Sequence, residues 1–348
     1  MKRLCLNRSL VWKEWKQNWW KFWAVGVLMS MTPVLGTIFI LIIRAVEPTA
    51  YFNGTTFSQD PTIWSFPIAE MVHGTFDSSS MGTLAVVLAL GLGAVLLAQE
   101  RHQNTLEFLV ATPVSRREIA ATKFLVGAGT ITGIMLVNLL FIVVMALILP
   151  ARYTNSAALV WFGATTPVLL AAYALGFLVA AVTGSLPASF VGALGIMYLP
   201  KIALPLLEEL LTLFGVIPYG PSRVPDILHR IERFLSLPDY IQGYHYGQVN
   251  GWLVPGMLLA AAAFFLLAVY LFERNPLERT GQILMFGNTR AIFRVGISLF
   301  TAALASIITP GILGNRPGAA LMLGVFLGTY ALCSALILIF YKVQCNLG

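Results

Sequence analysis

The charged side chains that interrupt apolar stretches are the groups in this sequence that could do chemistry. Lys201 and the adjacent pair Glu208-Glu209 interrupt one such stretch, and an ion at the centre of a membrane helix costs about 2.5–3.5 kcal/mol on insertion scales. These residues could line an outer vestibule, or they could lie near the outer interface with their charged ends in water. Some intramembrane proteases also carry a diglutamate, but the five residues that follow Glu209 include no basic side chain. The pattern therefore disfavours a protease.

Other recognisable reaction chemistry is missing from the sequence. It contains no G-x-x-x-x-G-K-[ST] phosphate loop, no H-E-x-x-H and no C-x-x-C. The histidines lack ligand spacing, and the cysteines lie too far apart in sequence to suggest a cluster or a disulfide framework: His73, His102, His229, His245, Cys5, Cys333 and Cys345. We therefore expect no catalytic residue, no metal and no cofactor in this chain.

The charged stretch 99–123 contains two helix starts in succession. Each has the pattern of a capping box, a short polar residue followed three positions later by glutamate, as in 104–107 and 115–118. Pro113 separates the two starts, because proline disfavours a helical residue before it and has no amide hydrogen to donate. The stretch therefore predicts a short amphipathic helix, a sharp corner and a long helix that begins at Arg116.

Composition places these elements in a membrane. The chain has 348 residues, of which 58% are hydrophobic and 11% charged, whereas soluble domains carry about 25% charged residues. The net charge of +7 comes from short basic blocks between apolar runs, as membrane topology requires, so a nucleic-acid partner is not expected.

The N-terminal residues 4–22 predict an amphipathic helix. Tryptophans recur at helical spacing on one face, and charged residues that include Lys13 and Glu14 occupy the other: Trp12, Trp15, Trp19 and Trp23 form the aromatic face. Such a helix could lie in the plane of the headgroup layer, with the indole rings at the acyl boundary and the lysines in water. It could also be a plain flank of the first span; the number of tryptophans favours the in-plane helix.

Apolar periodicity predicts an all-α polytopic bundle of about eight transmembrane helices. The spans are expected near 22–43, 82–98, 124–149, 158–182, 188 onward, 252–272, 295–313 and 318–341. Pro200 and Pro205 predict a break in the fifth span. With both termini in the cytosol, 15 of the 22 Lys and Arg residues lie on the inner side, and so does the stretch 99–123.

The stretch 99–123 resembles the loop between the second and third spans of ABC-2-type transporter permeases, which have the type V exporter fold. That family carries E-x-x-x-G-T-L-E-x-L-L-x-x-P-V-S-R-x-E-I-x-x-x-K there. The matching residues are Glu100, Thr105, Leu106, Glu107, Leu109, Val110, Pro113, Val114, Ser115, Arg116, Glu118, Ile119 and Lys123. Asn104 replaces the usual glycine and retains a capping side chain. The lead with Trp12-Lys13-Glu14 is similar to the family's elbow helix.

The resemblance implies that a soluble ATPase grips a cytosolic coupling helix, residues 105–111. Its apolar anchors would be Leu106, Phe108 and Leu109, and its rim charges would be Glu107, Arg116 and Arg117. Two copies of the ABC ATPase subunit would bind ATP and Mg²⁺, and the permease would pair with a second copy or a paralogue. The family also implies a bacterial cell membrane.

The family layout assigns residues 1–272 to a six-span permease core. This core comprises the elbow helix 4–22, the coupling loop 99–123 and an outer loop 215–251; residues 273–348 add a cytosolic loop and two further transmembrane helices. The expected function is the permease subunit of an ATP-driven exporter of an unidentified substrate. Its glycine-rich apolar spans would suit an amphipathic cargo, but packing against lipid explains the same residues. The alternative is an ATP-independent secondary transporter or an intramembrane enzyme, but the sequence lacks paired broken spans in matching halves.

Overall fold

The computed structural model describes residues 8–52, 54–73, 79–102, 114–213, 223–243, 252–274, 287–313 and 319–346. Twelve α-helices lie in these ranges: α1 Arg8–Met29, α2 Thr37–Val46, α3 Phe66–His73, α4 Ser79–His102, α5 Arg116–Ile148, α6 Asn155–Val182, α7 Leu186–Leu213, α8 Arg223–Leu235, α9 Leu237–Gly243, α10 Leu253–Glu273, α11 Gly287–Leu313 and α12 Ala319–Asn346. A π-helical segment, Met31–Gly36, separates α1 from α2. A two-stranded antiparallel hairpin, β1 Tyr51–Phe52 and β2 Thr55–Thr56, follows α2.

The chain is a multi-pass membrane protein. Within the described ranges, six helices are long and apolar enough to span a bilayer, namely α4, α5, α6, α7, α10 and α12; α1 and α2 give a seventh span if they are counted as one bent unit. The shorter apolar helix Arg294–Ser306 lies within α11. The prediction of an all-α bundle with about eight membrane helices agrees with this architecture.

Two compact units divide the chain. The first comprises Met1–Met197 and Leu237–Ile283, and the second comprises Tyr198–Ser236 and Leu284–Gly348. In the second unit, α11 packs against α12 through a face of small residues that includes the buried Ser298, Ala302 and Ser306. Small side chains let helix backbones approach closely in a membrane.

Helix α6 is the centre of the first unit, and α4, α5 and α10 pack around it. Its closest neighbour is α4, because glycines face the partner backbone from both sides. A Cβ on Gly176 would overlap the carbonyl oxygen of Leu90, and a Cβ on Gly93 would overlap the carbonyl oxygen of Tyr173. The two backbones are therefore in direct van der Waals contact, which only glycine permits at these positions.

Helix α1 runs parallel to α5, in a constant register. The contacts join Glu14 to Lys123, Gly26 to Ile134 and Ser30 to Asn138. The two hydrogen-bonded pairs are 109 and 108 residues apart in the chain, so the helices stay side by side over about 22 Å of α5. At the far end, the Ser30 hydroxyl donates to Asn138 Oδ1 at 2.7 Å, so a polar side chain inside the span joins the two segments.

A bend of 53° follows α1 at Ser30. Pro33 has no amide hydrogen for the Met29 carbonyl, and the Leu35 amide instead donates to the Ser30 carbonyl at 3.3 Å, a π-helical bond. The predicted elbow helix 4–22 thus differs from the observed one: α1 continues unbroken past Phe22 to Met29 and follows α5. Its polar face has a protein partner there, so the helix does not need to end at the interface.

Helix α7 is also different from the prediction. Pro200 and Pro205 were expected to break the fifth span, yet α7 is one helix of 28 residues that passes through both. Membrane helices tolerate proline where neighbouring groups satisfy the freed carbonyls. A tight turn precedes α7: α6 ends at Val182, and the Thr183 and Ser189 hydroxyls are hydrogen-bonded at 2.6 Å across the turn.

Replacing Gly176 by alanine is expected to lower the stability of the protein. The new methyl group would collide with the α4 backbone, and overpacking of this kind costs about 1–3 kcal/mol or more. The matched control is Gly163→Ala on the same helix, where a Cβ meets nothing within 4 Å. The thermal unfolding midpoint in detergent should fall for Gly176→Ala and not for Gly163→Ala. Equal midpoints for the two variants would contradict the close α4–α6 contact.

Candidate functional site

The N-terminal end of α5 is fixed by a complete capping box. Ser115 has the extended backbone of an N-cap, φ −72° and ψ 149°. Its hydroxyl accepts a hydrogen bond from the Glu118 amide at 3.2 Å, and the Glu118 carboxylate accepts one from the Ser115 amide at 3.1 Å. This reciprocal pattern satisfies two amide hydrogens that a helix start leaves without partners. The second of the two helix starts predicted in 99–123 is confirmed.

The rest of the predicted coupling helix lies outside the described residues. The structure does not describe residues 103–113 or the side chain of Glu100. The predicted site residues within 103–113 are Asn104, Thr105, Leu106, Glu107, Phe108, Leu109 and Pro113. The observed part of the candidate site is therefore the pair of helix ends that flank it, α4 to His102 and α5 from Arg116.

Two arginines tie the start of α5 to the end of α10. The Arg117 guanidinium forms an ion pair with the Glu273 carboxylate, and Arg116 donates to the Glu273 carbonyl oxygen at 3.3 Å. The Arg117 side chain is 67% exposed, so water screens the pair and it adds little stability. It nevertheless sets the register between the two helix ends. Both arginines, predicted as rim charges for a partner, thus already have an intramolecular contact, which the sequence did not indicate.

A buried ion pair joins α5 to α1 two turns further along. Lys123 Nζ lies 2.8 Å from Glu14 Oε2, and the two side chains are 2% and 1% exposed. Taking two charges out of water is costly, and it is repaid only by close pairing and further hydrogen bonds. Asn18 supplies one of these, since its amide lies 3.4 Å from Glu14 Oε2. The pair is the most deeply buried ionic contact in the described part of the chain.

The polar face of α1 points into the protein, and its aromatic face points outward. Lys21 donates to Asn18 Oδ1 at 2.7 Å, so the polar row of Glu14, Asn18 and Lys21 is continuous and buried. The tryptophans predicted as an interface anchor are 48–66% exposed: Trp12, Trp15, Trp19 and Trp23. Lys13 reaches back to the Glu14 carboxylate at 3.3 Å. The tryptophans share an exposed face, but the polar residues predicted opposite them divide: Glu14 is buried against α5, whereas Lys16 is exposed.

An aromatic layer supports the buried pair from the side of α6. The Tyr173 hydroxyl lies 3.2 Å from the carbonyl oxygens of both Lys123 and Phe124. The Phe124 ring stacks on Phe265 of α10, with the ring centroids 4.2 Å apart. A Cβ on Gly127 would overlap the Tyr173 hydroxyl, so α5 and α6 are close here as well. One layer of side chains therefore connects α1, α5, α6 and α10 just inside the start of α5.

The outer-vestibule residues proposed from sequence are not brought together. Lys201 is half-buried, two turns before Glu208 on α7, and Glu209 is exposed. Glu208 lies 3.8 Å from the His229 ring of α8, and that ring also contacts Glu232 at 3.2 Å. Together, Glu208 and His229 join the end of α7 to α8.

A second polar cluster, which the sequence analysis missed, ties the loop after α2 to the turn between α5 and α6. Arg152 pairs with Asp60 and donates to the Thr62 hydroxyl at 2.8 Å. The Trp64 indole donates to the Pro150 carbonyl at 2.9 Å. Hydrogen bonds from the Thr62 hydroxyl and amide, followed by the Arg152 contact, lower the pKa of Asp60 to about 2. The opposite charges of Asp60 and Arg152 were the only signal for this contact in the sequence.

Removing one member of the buried pair is expected to destabilise the protein more than removing both. Lys123→Met removes the buried partner of the Glu14 carboxylate and leaves it with the more exposed Lys13 at 3.3 Å, so a large part of the about 3–5 kcal/mol that breaking a buried pair costs is expected. Adding Glu14→Leu to Lys123→Met removes that poorly compensated charge, and buried pairs are often replaced by apolar residues without loss. Thermal unfolding in detergent should therefore show a lower midpoint for the single variant and recovery in the double variant. A double variant less stable than Lys123→Met would contradict this.

The polar cluster around Asp60 and Arg152 should make the stability of the protein depend on pH. Because the folded protein lowers the pKa of Asp60 from 3.8 to about 2, the ionised carboxylate stabilises the fold above about pH 4, and that contribution is lost as the pH falls towards 2. Asp60→Asn should abolish this part of the pH dependence of the unfolding midpoint. Glu47→Gln, an exposed carboxylate in the same loop, is the control and should leave it. An unchanged pH profile in Asp60→Asn would contradict the assignment.

Comparison with known proteins agrees with this architecture. The sequence profile of the family described as ABC-2 family transporter protein matches residues 8–277, from the start of α1 to just beyond the end of α10. The chain is also similar to the probable ABC transporter permease YtrC of Bacillus subtilis (strain 168), with 25% identity over 296 residues that cover 81% of this chain and 82% of the relative. A membrane bundle of this layout, matched by that profile over most of its length, belongs to the ABC-2 family of transporter proteins.

Proposed function

We propose that this chain is the permease subunit of an ATP-driven exporter and that a separate ATPase drives it through the stretch 99–123. The observation that carries the proposal is the way the start of α5 is held. A capping box fixes its first turn, Arg117 ties it to α10, and Lys123 ties it to α1. A push on the residues before Ser115 would therefore move several membrane helices together.

Docking would use the apolar side chains of the coupling helix. Leu106, Phe108 and Leu109 would enter a groove on the ATPase, since binding energy concentrates in a few buried apolar or aromatic anchors. Glu107 would set the register at the rim. Arg116 and Arg117 already contact Glu273. In docking they would therefore hold the start of α5 in place and would also face the ATPase.

The proposed orientation places both termini and the stretch 99–123 in the cytosol of a bacterial cell. Support comes from the 15 of 22 Lys and Arg residues on that side. The working assembly would contain two ATPase copies, which bind ATP and Mg²⁺, and a second permease copy or a paralogue. The printed name of the Bacillus relative, a probable ABC transporter permease, supports an ATPase partner of this class.

The cargo in this proposal is an amphipathic molecule. The membrane helices are apolar and the chain contains 30 glycines, and the described residues contain no group of three or more His, Cys, Asp and Glu side chains that could hold a metal ion. A lipid, a peptide or an amphipathic antibiotic would fit the apolar surfaces better than a free ion. Stimulation of ATP hydrolysis in the purified complex by such compounds would identify the class.

Replacing Leu106 and Phe108 with aspartate should abolish co-purification of the ATPase with the tagged permease. The charges would have to enter the apolar groove without partners, which costs far more than the anchors contribute. The matched control places the same two charges at Val46 and Tyr51, which are 79% and 78% exposed and belong to the opposite side in the proposed topology. Retention of the ATPase by the Leu106/Phe108 variant would refute the docking surface. Loss of the ATPase from the control as well would show that added charge alone disrupts the complex.

A further inference from the structure

We propose that the Glu14–Lys123 pair is the link that passes displacement of the start of α5 to α1, so that both residues are positioning residues for transport. This rests on the proposed function, because the displacement would come from the ATPase at 99–123. The profile match and the name of the relative say nothing about this pair.

The pair lies close to the capped start of α5 and is shielded from water. Lys123 lies seven residues into α5, about 10 Å from its capped start, and the intervening turns form one uninterrupted helix. Glu14 is 1% exposed and Lys123 2%, so neither charge is screened by water. A short ionic contact in such a place resists separation of the two helices far more than an exposed pair does.

Beyond this contact, α1 follows α5 and also packs against α4. Its aromatic face is exposed, and its buried face contacts α5 in a single register, at Glu14, Gly26 and Ser30. The bend at Ser30 then separates α1 from α2. Movement of α1 with α5 would thus change the angle at this bend and reposition the outer half of the first span.

Stability alone does not explain why two charges are buried at this position. A buried ion pair is weak evidence for a stabilising role, because well-packed apolar residues often replace such a pair without loss. A function in coupling therefore gives a reason for charges here that stability does not. The roles of the pair in stability and in coupling can be separated by experiment, because an apolar pair at positions 14 and 123 keeps the packing and removes the directional attraction.

The test uses the complex of this chain with the ATPase that co-purifies with it, reconstituted in liposomes. The native cysteines Cys5, Cys333 and Cys345 are replaced by serine, and spin labels are placed at Lys16 and Asn155, both exposed, on α1 and at the start of α6. Trapping with ATP, Mg²⁺ and vanadate should shift the distance between the labels in the otherwise native pair. In Glu14→Leu/Lys123→Met the shift should be lost, while the ATPase still co-purifies and still hydrolyses ATP.

A second measurement does not depend on how that variant folds. With the native pair, labels at Lys16 and Leu125, exposed positions on α1 and α5, should keep the same distance before and after trapping, because the link moves the helices as one body. Glu14→Asp, which keeps the charge, should retain part of the Lys16–Asn155 shift.

Two results would overturn the link. One is a full native shift in the apolar double variant, and the other is a change in the Lys16–Leu125 distance on trapping. A failure of the proposed function looks different: no ATPase would co-purify with the native chain, or no label pair would respond to nucleotide.

Discussion

The buried contact between Glu14 and Lys123 determines how the N-terminal half of this protein is arranged. Once both charges leave water, they must meet, because an isolated ion in a low-dielectric interior is far more costly than a pair. Their meeting sets the register of α1 on α5, and the contacts at Gly26 and Ser30 follow in the same register. The tryptophan face is then turned outward and the bend at Ser30 is placed beside Asn138. The ionic contact, the buried apolar side chains of α1 and the contacts at Gly26 and Ser30 thus agree on one orientation of the first span.

Close contact between helix backbones holds the helices around α6 together. Apolar attraction between helices is weak in lipid, so contact area and close approach hold them together. Gly93 and Gly176 permit that approach between α4 and α6, and the Tyr173 hydroxyl caps two carbonyl oxygens of α5 in the adjacent layer. The start of α5 is therefore packed against α6 as well as against α1.

Much of the fold could be predicted because it depends on local patterns. Apolar run length identified the membrane helices, and the Ser115–Glu118 spacing identified the start of α5. The continuity of α7 through Pro200 was not predicted, because the sequence shows that proline removes an amide donor but not whether the helix tolerates the loss. The pairing of Glu14 with Lys123 was also hidden. Periodicity showed that Glu14 lies opposite the tryptophans, but it could not distinguish a face directed to water from one directed to another helix.

The most direct test of the account is the side of the membrane on which 99–123 lies. A single cysteine at Asn104, in a background without the native cysteines, can be labelled with a membrane-impermeant maleimide in intact spheroplasts and in inverted vesicles. The account predicts labelling in inverted vesicles alone, and the opposite pattern for a cysteine at Tyr51 in the outer hairpin. Labelling of position 104 from outside intact spheroplasts would contradict it, because no cytosolic ATPase could then reach the start of α5.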